Sequence, residues 1–150
     1  MADKRHAKTS KKFTNRQIFA TQSNISHHIH YKNREPIFKN FAYARLIINA
    51  LKQSDELQHT NTLAFVVMPD HIHWLLALGG NQKLHQVIKT IKSKVTIKIG
   101  KHIWQAGYYD HATRKDEDIV NTARHVIANP IRAGLVKRVC NYPHWDAVWL

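Results

Sequence analysis

The stretch from Ala64 to Leu78 constrains the fold more than any other part of the chain. Ala64–Met68 is a short apolar run with β-branched and aromatic side chains, Pro69-Asp70 is a turn signal, and His71–Leu78 alternates along its length. Two such runs joined by a tight turn read as a β-hairpin. Successive strand residues point to opposite faces, so Ile72, Trp74, Leu76 and Leu78 share one face, and His71, His73, Leu75 and Ala77 share the other. The first face suits helices; the second carries two imidazoles side by side.

The rest of the chain supplies partners for that hairpin. From Ile25 to Tyr31 the odd positions alternate with Ser26, His28 and His30, a first strand that Asn33–Pro36 breaks. Phe38, Phe41, Ala44, Ile48 and Leu51 recur at helical steps, which predicts a helix from about Asn40 to Gln53 with that stripe on a sheet. After Gly79-Gly80, the positions Leu84, Val87, Ile88, Ile91 and Val95 trace a second helix. Its other side carries Lys83, Lys89, Lys92, Lys94 and Lys98 with no acid between them, a helix that repels itself unless a partner or solvent screens it. Ile103–Tyr109 reads as a fourth strand. Asp116, Glu117 and Asp118 then occupy the first turn of a third helix, where the macrodipole favours acids, and Pro130 terminates it. The order of elements is that of an α+β, ferredoxin-like split βαβ fold with an antiparallel sheet and an appended C-terminal helix, the catalytic one if the site lies there. Residues 1–21 read as a flexible basic arm, with Lys4, Arg5, Lys8, Lys11, Lys12 and Arg16, and residues 22–150 as one domain.

Charge narrows the partner. Lys and Arg number 23 against 10 Asp and Glu, a formal +13, which points to a polyanion and away from acidic-patch partners. With 43% hydrophobic residues, 5 Gly and 4 Pro in 150, generic disorder is excluded for most of the chain. The single cysteine, Cys140, excludes an intramolecular disulfide framework and a cysteine-based metal cluster in a monomer. No apolar run approaches the roughly 20 residues of a membrane span, and the start has no apolar signal core. The expectation is a soluble protein of a reducing cytoplasm, with no membrane partner.

Twelve histidines are the second anomaly, and their density suggests metal or proton chemistry. His71 and His73 lie on one strand face with Cβ atoms roughly 7 Å apart, close enough to converge on one divalent ion. With oxygen ligands, Mg²⁺ or Mn²⁺ there would suit phosphoryl chemistry on nucleic acid; a polar exposed strand face is the plain alternative. In the last helix His125 and Asn129 are four residues apart and share a face. If that face overlies the imidazole pair, Asn129 can give an amide oxygen as a third ligand and His125 can reach a scissile phosphate. Otherwise Asn129 is a helix cap and His125 an ordinary half-exposed residue. A second triplet, His28-Ile29-His30, allows a rival in which two HxH strands face each other as a histidine-only metal cage. It is also loosely similar to twin-histidine phosphoesterases, but those have Thr or Ser two residues after each His.

Several blocks carry a more specific likeness. Met68–Trp74 (MPDHIHW), Trp104–His111 (WQAGYYDH) followed by Arg114, Asn129–Val136 (NPIRAGLV), Tyr142–Trp149 (YPHWDAVW) and Arg34–Phe38 (REPIF) together resemble the signatures of REP-associated tyrosine transposases over about residues 25–150. The resemblance implies an HUH-type single-strand DNA endonuclease and strand transferase. In that chemistry the two histidines, here His71 and His73, hold Mg²⁺ or Mn²⁺ on the scissile phosphate, and a tyrosine attacks to give a 5′-phosphotyrosine and a free 3′-OH. It implies single-stranded DNA with palindromic, REP-type hairpins as the partner, Asn129 at the third-ligand position, a bacterial, nucleoid-associated location, and a monomer, with the dimer of insertion-sequence relatives as the alternative. Arg34, Lys89, Lys92, Arg114, Arg124 and Arg132 are the candidate DNA contacts; surface solvation is the plain reading of the arginines in the family-like blocks.

The departure is at the nucleophile. The family tyrosine lies five residues before the NP proline, and that position is His125; the last helix has no Tyr. Three explanations stand: a copy that binds and no longer cleaves, an inactivating substitution, or a histidine nucleophile forming a phosphoramidate. Tyr108 and Tyr109 match the GYYDH strand rather than the catalytic helix, and packing at a strand end is their simpler role. The rival functions are a non-catalytic DNA-hairpin-binding module and the histidine-only metalloprotein.

Overall fold

The computed structural model describes residues 24–30, 34–107, 109–113 and 116–147. The basic arm, Tyr108 and Arg114 lie outside the described residues. The hairpin is the centre of the molecule. Strand β3 spans His71–Leu78, the range its alternation predicts, and pairs on one side with β2 (Thr60–Met68) and on the other with β1 (Asn24–His30). With β4 (Tyr109–Thr113) on β1 and β5 (Trp145–Ala147) on β2, the sheet order is β4-β1-β3-β2-β5, each neighbouring pair antiparallel. Helix α1 (Phe41–Glu56) joins β1 to β2 and α2 (Leu84–Ile99) joins β3 to β4. The 4-1-3-2 order with helical crossovers is the split βαβ arrangement, so the expected α+β layout holds.

Helices cover both faces of the sheet. On one, Val67, Ile72, Trp74 and Leu76 pack with Ala44, Ile47, Ile48 and Leu51 of α1 and Val87, Ile88, Ile91 and Val95 of α2. On the other, Leu63, Ala64, Val66, Met68 and Leu75 pack under α3 (Asp116–Ile127) through Ile119, Ala123, Val126 and Ile127, together with Tyr142 and Ala147. A bulge between Thr62 and Ala64 explains how the consecutive Leu63 and Ala64 both join this second layer.

Strand β2 starts earlier than its apolar run suggests because its polar entry is satisfied. The Asp55 carboxylate accepts from the Thr60 hydroxyl at 2.7 Å and from the Thr62 hydroxyl and amide at 3.0 and 3.1 Å, while Trp74 Nε1 donates to Thr62 Oγ1 at 2.9 Å. Burial pushes the Asp55 carboxyl above its usual range in spite of these bonds.

Three expectations are corrected and one strand is added. The fourth strand is Tyr109–Thr113, not Ile103–Tyr109. Ile103 and Trp104 are buried against α2, where Trp104 Nε1 donates to the Lys92 carbonyl at 3.0 Å and to Thr96 Oγ1 at 3.1 Å; helix packing produced the apolar signal. Phe41 is not in the core but 61% exposed at the start of α1, its ring 5.2 Å from that of His144, because Phe38 fills the core from the single turn Ile37–Lys39. Helix α3 ends at Ile127 and the chain re-enters a short helix α4 (Asn129–Arg132), whose first turn tolerates Pro130 because no amide donor is needed there. Finally, β5 pairs Ala147 with Ala64 and Trp145 with Val66, a strand that local periodicity does not announce.

Candidate metal site and basic cleft

The hairpin turn delivers the imidazoles. His71 and His73 flank Ile72 on the face that Leu75 shares, and cross-strand they stand opposite Met68 and Val66, both members of the layer under α3. Their Nε2 atoms lie 2.9 Å apart with rings 4.7 Å between centroids and nearly perpendicular at 79°. His73 is 8% exposed and His71 half-buried. On the other side of β3, the backbone register sets His28 opposite His73 and His30 opposite His71.

His71 is held from behind. Its Nδ1 is 2.6 Å from Asp70 Oδ1, and Arg34 Nε donates to Asp70 Oδ2 at 2.7 Å. A backbone bond from Phe38 N–H to the Pro69 carbonyl, 3.0 Å, docks the same segment onto the turn. Burial would raise the Asp70 carboxyl, but the hydrogen bonds and charges of His71 and Arg34 outweigh it and hold the carboxyl below its ordinary range. An ionised Asp70 accepts only, so His71 Nδ1 carries a proton and Nε2 is the nitrogen turned toward His73.

This geometry fits a divalent ion. Two nitrogens bound at about 2.1 Å and roughly 90° to each other lie about 3 Å apart, close to the observed Nε2 separation. Among the described residues outside β1, β4 and the start of α3, no further His, Cys, Asp or Glu makes a third member of such a cluster.

Asn129, His125 and Arg132 form a separate knot at the end of α3. Asn129 Nδ2 donates to the carbonyls of His125 at 3.1 Å and Val126 at 2.9 Å, which is capping, leaving Oδ1 as its one atom suited to a cation. Arg132 donates Nη2 to the His125 carbonyl at 2.8 Å and Nη1 to His125 Nδ1 at 3.0 Å. Among the described residues neither His125 nor Asn129 makes a hydrogen bond or ring contact with the imidazole pair. The helix does lie on that sheet face, through its apolar stripe, while His125 and Arg124 are exposed.

The lysines of α2 separate into roles the sequence could not distinguish. A cleft of about 1020 Å³ lies between α2 and the segment 102–107, lined by Lys89, Lys92, His85, His102 and Gln105 among others. Lys92 Nζ donates to the carbonyls of Gln105 at 3.2 Å and Gly107 at 2.8 Å and so ties the wall together; burial lowers its pKa. Lys94 bonds Gln53 on α1 at 2.9 Å, and Lys89 is exposed. Trp74 and Trp104 belong to the core and offer no stacking surface. The Arg34–Asp70 contact is the site feature missed from the sequence; its one local signal is an acid placed directly before the HxH triplet.

The chain is 33% identical to a REP-associated tyrosine transposase of Escherichia coli over 82 residues, 53% of this chain and 50% of the relative. It is 29% identical to a protein of Haemophilus influenzae bearing the same family name over 112 residues, 64% of each. The chain thus spans between half and two thirds of these relatives' lengths. Among solved structures, a REP-associated tyrosine transposase bound to a REP hairpin superposes with a TM-score of 0.73 at 25% identity, covering 82% of this chain and 75% of that one. A transposase from Deinococcus radiodurans shares the fold, with a TM-score of 0.54 at 15% identity, over 72% of this chain and 91% of that one. No helix among the described residues is long and apolar enough to cross a membrane. Residues 20–127 match the family described as Transposase IS200 like, and the chain belongs to that family, with the likeness to REP-associated tyrosine transposases that its motifs carry.

Proposed function

We propose that this chain binds hairpin-forming single-stranded DNA as a REP-associated transposase does, holds Mg²⁺ or Mn²⁺ at His71 and His73 with Asn129 as third ligand, and does not cleave by the tyrosine route. A divalent ion bound there would supply charge neutralisation on a DNA phosphate. The chain's own contribution is to hold two imidazoles with their Nε2 atoms 2.9 Å apart and to carry cations for phosphate: Arg34 at the turn beside them, Arg124 on α3, Arg132 on α4, and Lys89 and Lys92 at the cleft on the other face of the sheet.

The contact between Arg132 and His125 carries the reading. A guanidinium can only donate, so His125 Nδ1 accepts and the ring proton sits on Nε2. Nδ1 is occupied and Nε2 has no lone pair, which leaves the residue at the tyrosine position a hydrogen-bond donor to phosphate instead of a nucleophile. This favours a binding protein over a phosphoramidate-forming enzyme. The register of His28 and His30 against His73 and His71 supports a second reading, a histidine-only site for a transition metal.

Fluorescence anisotropy with a labelled hairpin carrying single-stranded flanks tests DNA binding. Affinity is expected to fall steeply with salt, and Lys89→Ala to reduce the log–log salt slope by about one contact without unfolding the chain. Lys92→Ala should weaken binding further, since it also frees the 105–107 wall. Salt-independent affinity, or equal affinity for hairpin and uncharged-backbone analogue, would overturn the DNA reading.

A further inference from the structure

We infer that Asp70 and Arg34 form a relay that fixes the tautomer of His71, with Arg34 dictating which way the Asp70 side chain presents its acceptors. The inference rests on the reading of His71 as a metal ligand and deepens it. Arg34 thereby acts as a positioning residue, whatever it also contributes to DNA. The geometry is continuous: Arg34 Nε to Asp70 Oδ2 at 2.7 Å, Asp70 Oδ1 to His71 Nδ1 at 2.6 Å, His71 Nε2 to His73 Nε2 at 2.9 Å. The first two contacts have only one workable polarity. Arg34 must donate, so one carboxylate oxygen is committed to it; the other oxygen can only accept, so His71 Nδ1 must carry the proton; in the neutral ring Nε2 then keeps its lone pair and accepts from His73 Nε2 until a metal ion takes that place. Carboxylates that orient metal-bound histidines in this way raise ligand basicity and lock ring orientation. The backbone at Arg34 adopts a positive φ of 55°, uncommon for a residue with a Cβ, as the segment turns to bring the guanidinium onto the hairpin.

The relay makes a prediction that a turn-stabilising role does not. In Asp70→Asn the side-chain oxygen is drawn to Arg34, which needs an acceptor, so the amide nitrogen faces His71 and donates to Nδ1. The imidazole proton is forced onto Nε2, the atom that must be bare. Removing Arg34 as well releases the amide to turn its oxygen back toward His71. The second substitution should therefore repair part of what the first damages. Asn is also a good turn residue, so the hairpin itself is preserved.

The experiment compares the full chain with Asp70→Asn, Arg34→Met and the double variant. Long-range proton–nitrogen NMR on imidazole-labelled protein reads which His71 nitrogen is protonated, and calorimetry with Mn²⁺ reads affinity. The expected results are an Nδ1-protonated His71 in the unsubstituted chain, an Nε2-protonated one in Asp70→Asn with Mn²⁺ binding weakened about 10–100-fold, and partial recovery of both in the double variant. An unchanged tautomer in Asp70→Asn, or a double variant no better than Asp70→Asn alone, would overturn the relay. If the unsubstituted chain binds no Mn²⁺, the metal reading fails while the tautomer measurement still decides the relay.

Discussion

His125→Tyr, incubated with Mn²⁺ and a flanked hairpin DNA, is expected to form a covalent DNA adduct that the unsubstituted chain does not form. In the substituted chain the phenolic oxygen attacks phosphorus, the 3′ oxygen leaves as a hydroxyl, and the 5′ phosphate remains on the tyrosine. The scaffold for this is in place: residue 125 is exposed on a helix that packs over the face bearing His71 and His73. Arg132 would keep its bond to the carbonyl of residue 125, and its positive charge would favour the phenolate. A labelled oligonucleotide that migrates with the protein on a denaturing gel gives an all-or-none readout. An adduct formed by the unsubstituted chain would show that His125 is itself a nucleophile. Adduct from neither, with DNA and metal both bound, would count against the transposase-type site.

The second large effect is on stability. Trp74 is fully buried in the core with α1 and α2, its indole N–H on Thr62 Oγ1 at 2.9 Å. Trp74→Ala opens a cavity beneath the strand that carries His73 and strands the Thr62–Asp55 network. Truncations of this kind cost about 3–5 kcal/mol. For a domain of this size each kcal/mol lowers Tm by about 2–4 °C, so a fall on the order of 10 °C or more is expected in thermal unfolding followed by circular dichroism. A shift of only a few degrees would mean that the sheet is held mainly by the α3 layer on its other face.

The sequence made the strand β3 and the two helices beside it legible because their periodicities are local: the alternation of His71–Leu78 and the stripe Val87, Ile88, Ile91 and Val95 each match an observed buried face. It also made the imidazole pair legible, since two strand residues two apart share a face by construction. What it hid depends on contacts between distant segments. Ile103 and Trp104 look like strand residues until α2 is placed beside them, and Phe41 looks like core until Phe38 takes the space. β5 exists because Tyr142 donates its hydroxyl to the Val67 carbonyl and the Val67 amide donates to His144, anchoring a segment whose own pattern is weak. Burial raises the Tyr142 phenol to about 12, so that anchor stays protonated through the physiological range. The Arg34–Asp70 bond joins residues 36 apart in sequence, and no local rule pairs them. Asn129 shows the converse: its helix-capping use was readable from Asn before Pro, while the ligand role proposed for it rests on the shared face with His125 and on the family likeness.

Calorimetric titration of Mn²⁺ into the metal-free chain tests the proposed metal centre at His71 and His73 most directly. One ion per chain is expected, with binding lost when His71→Ala and His73→Ala are combined and retained in His28→Ala. No binding by the unsubstituted chain, or binding that survives the double substitution, would contradict it; loss of binding in His28→Ala would instead support the histidine-only site.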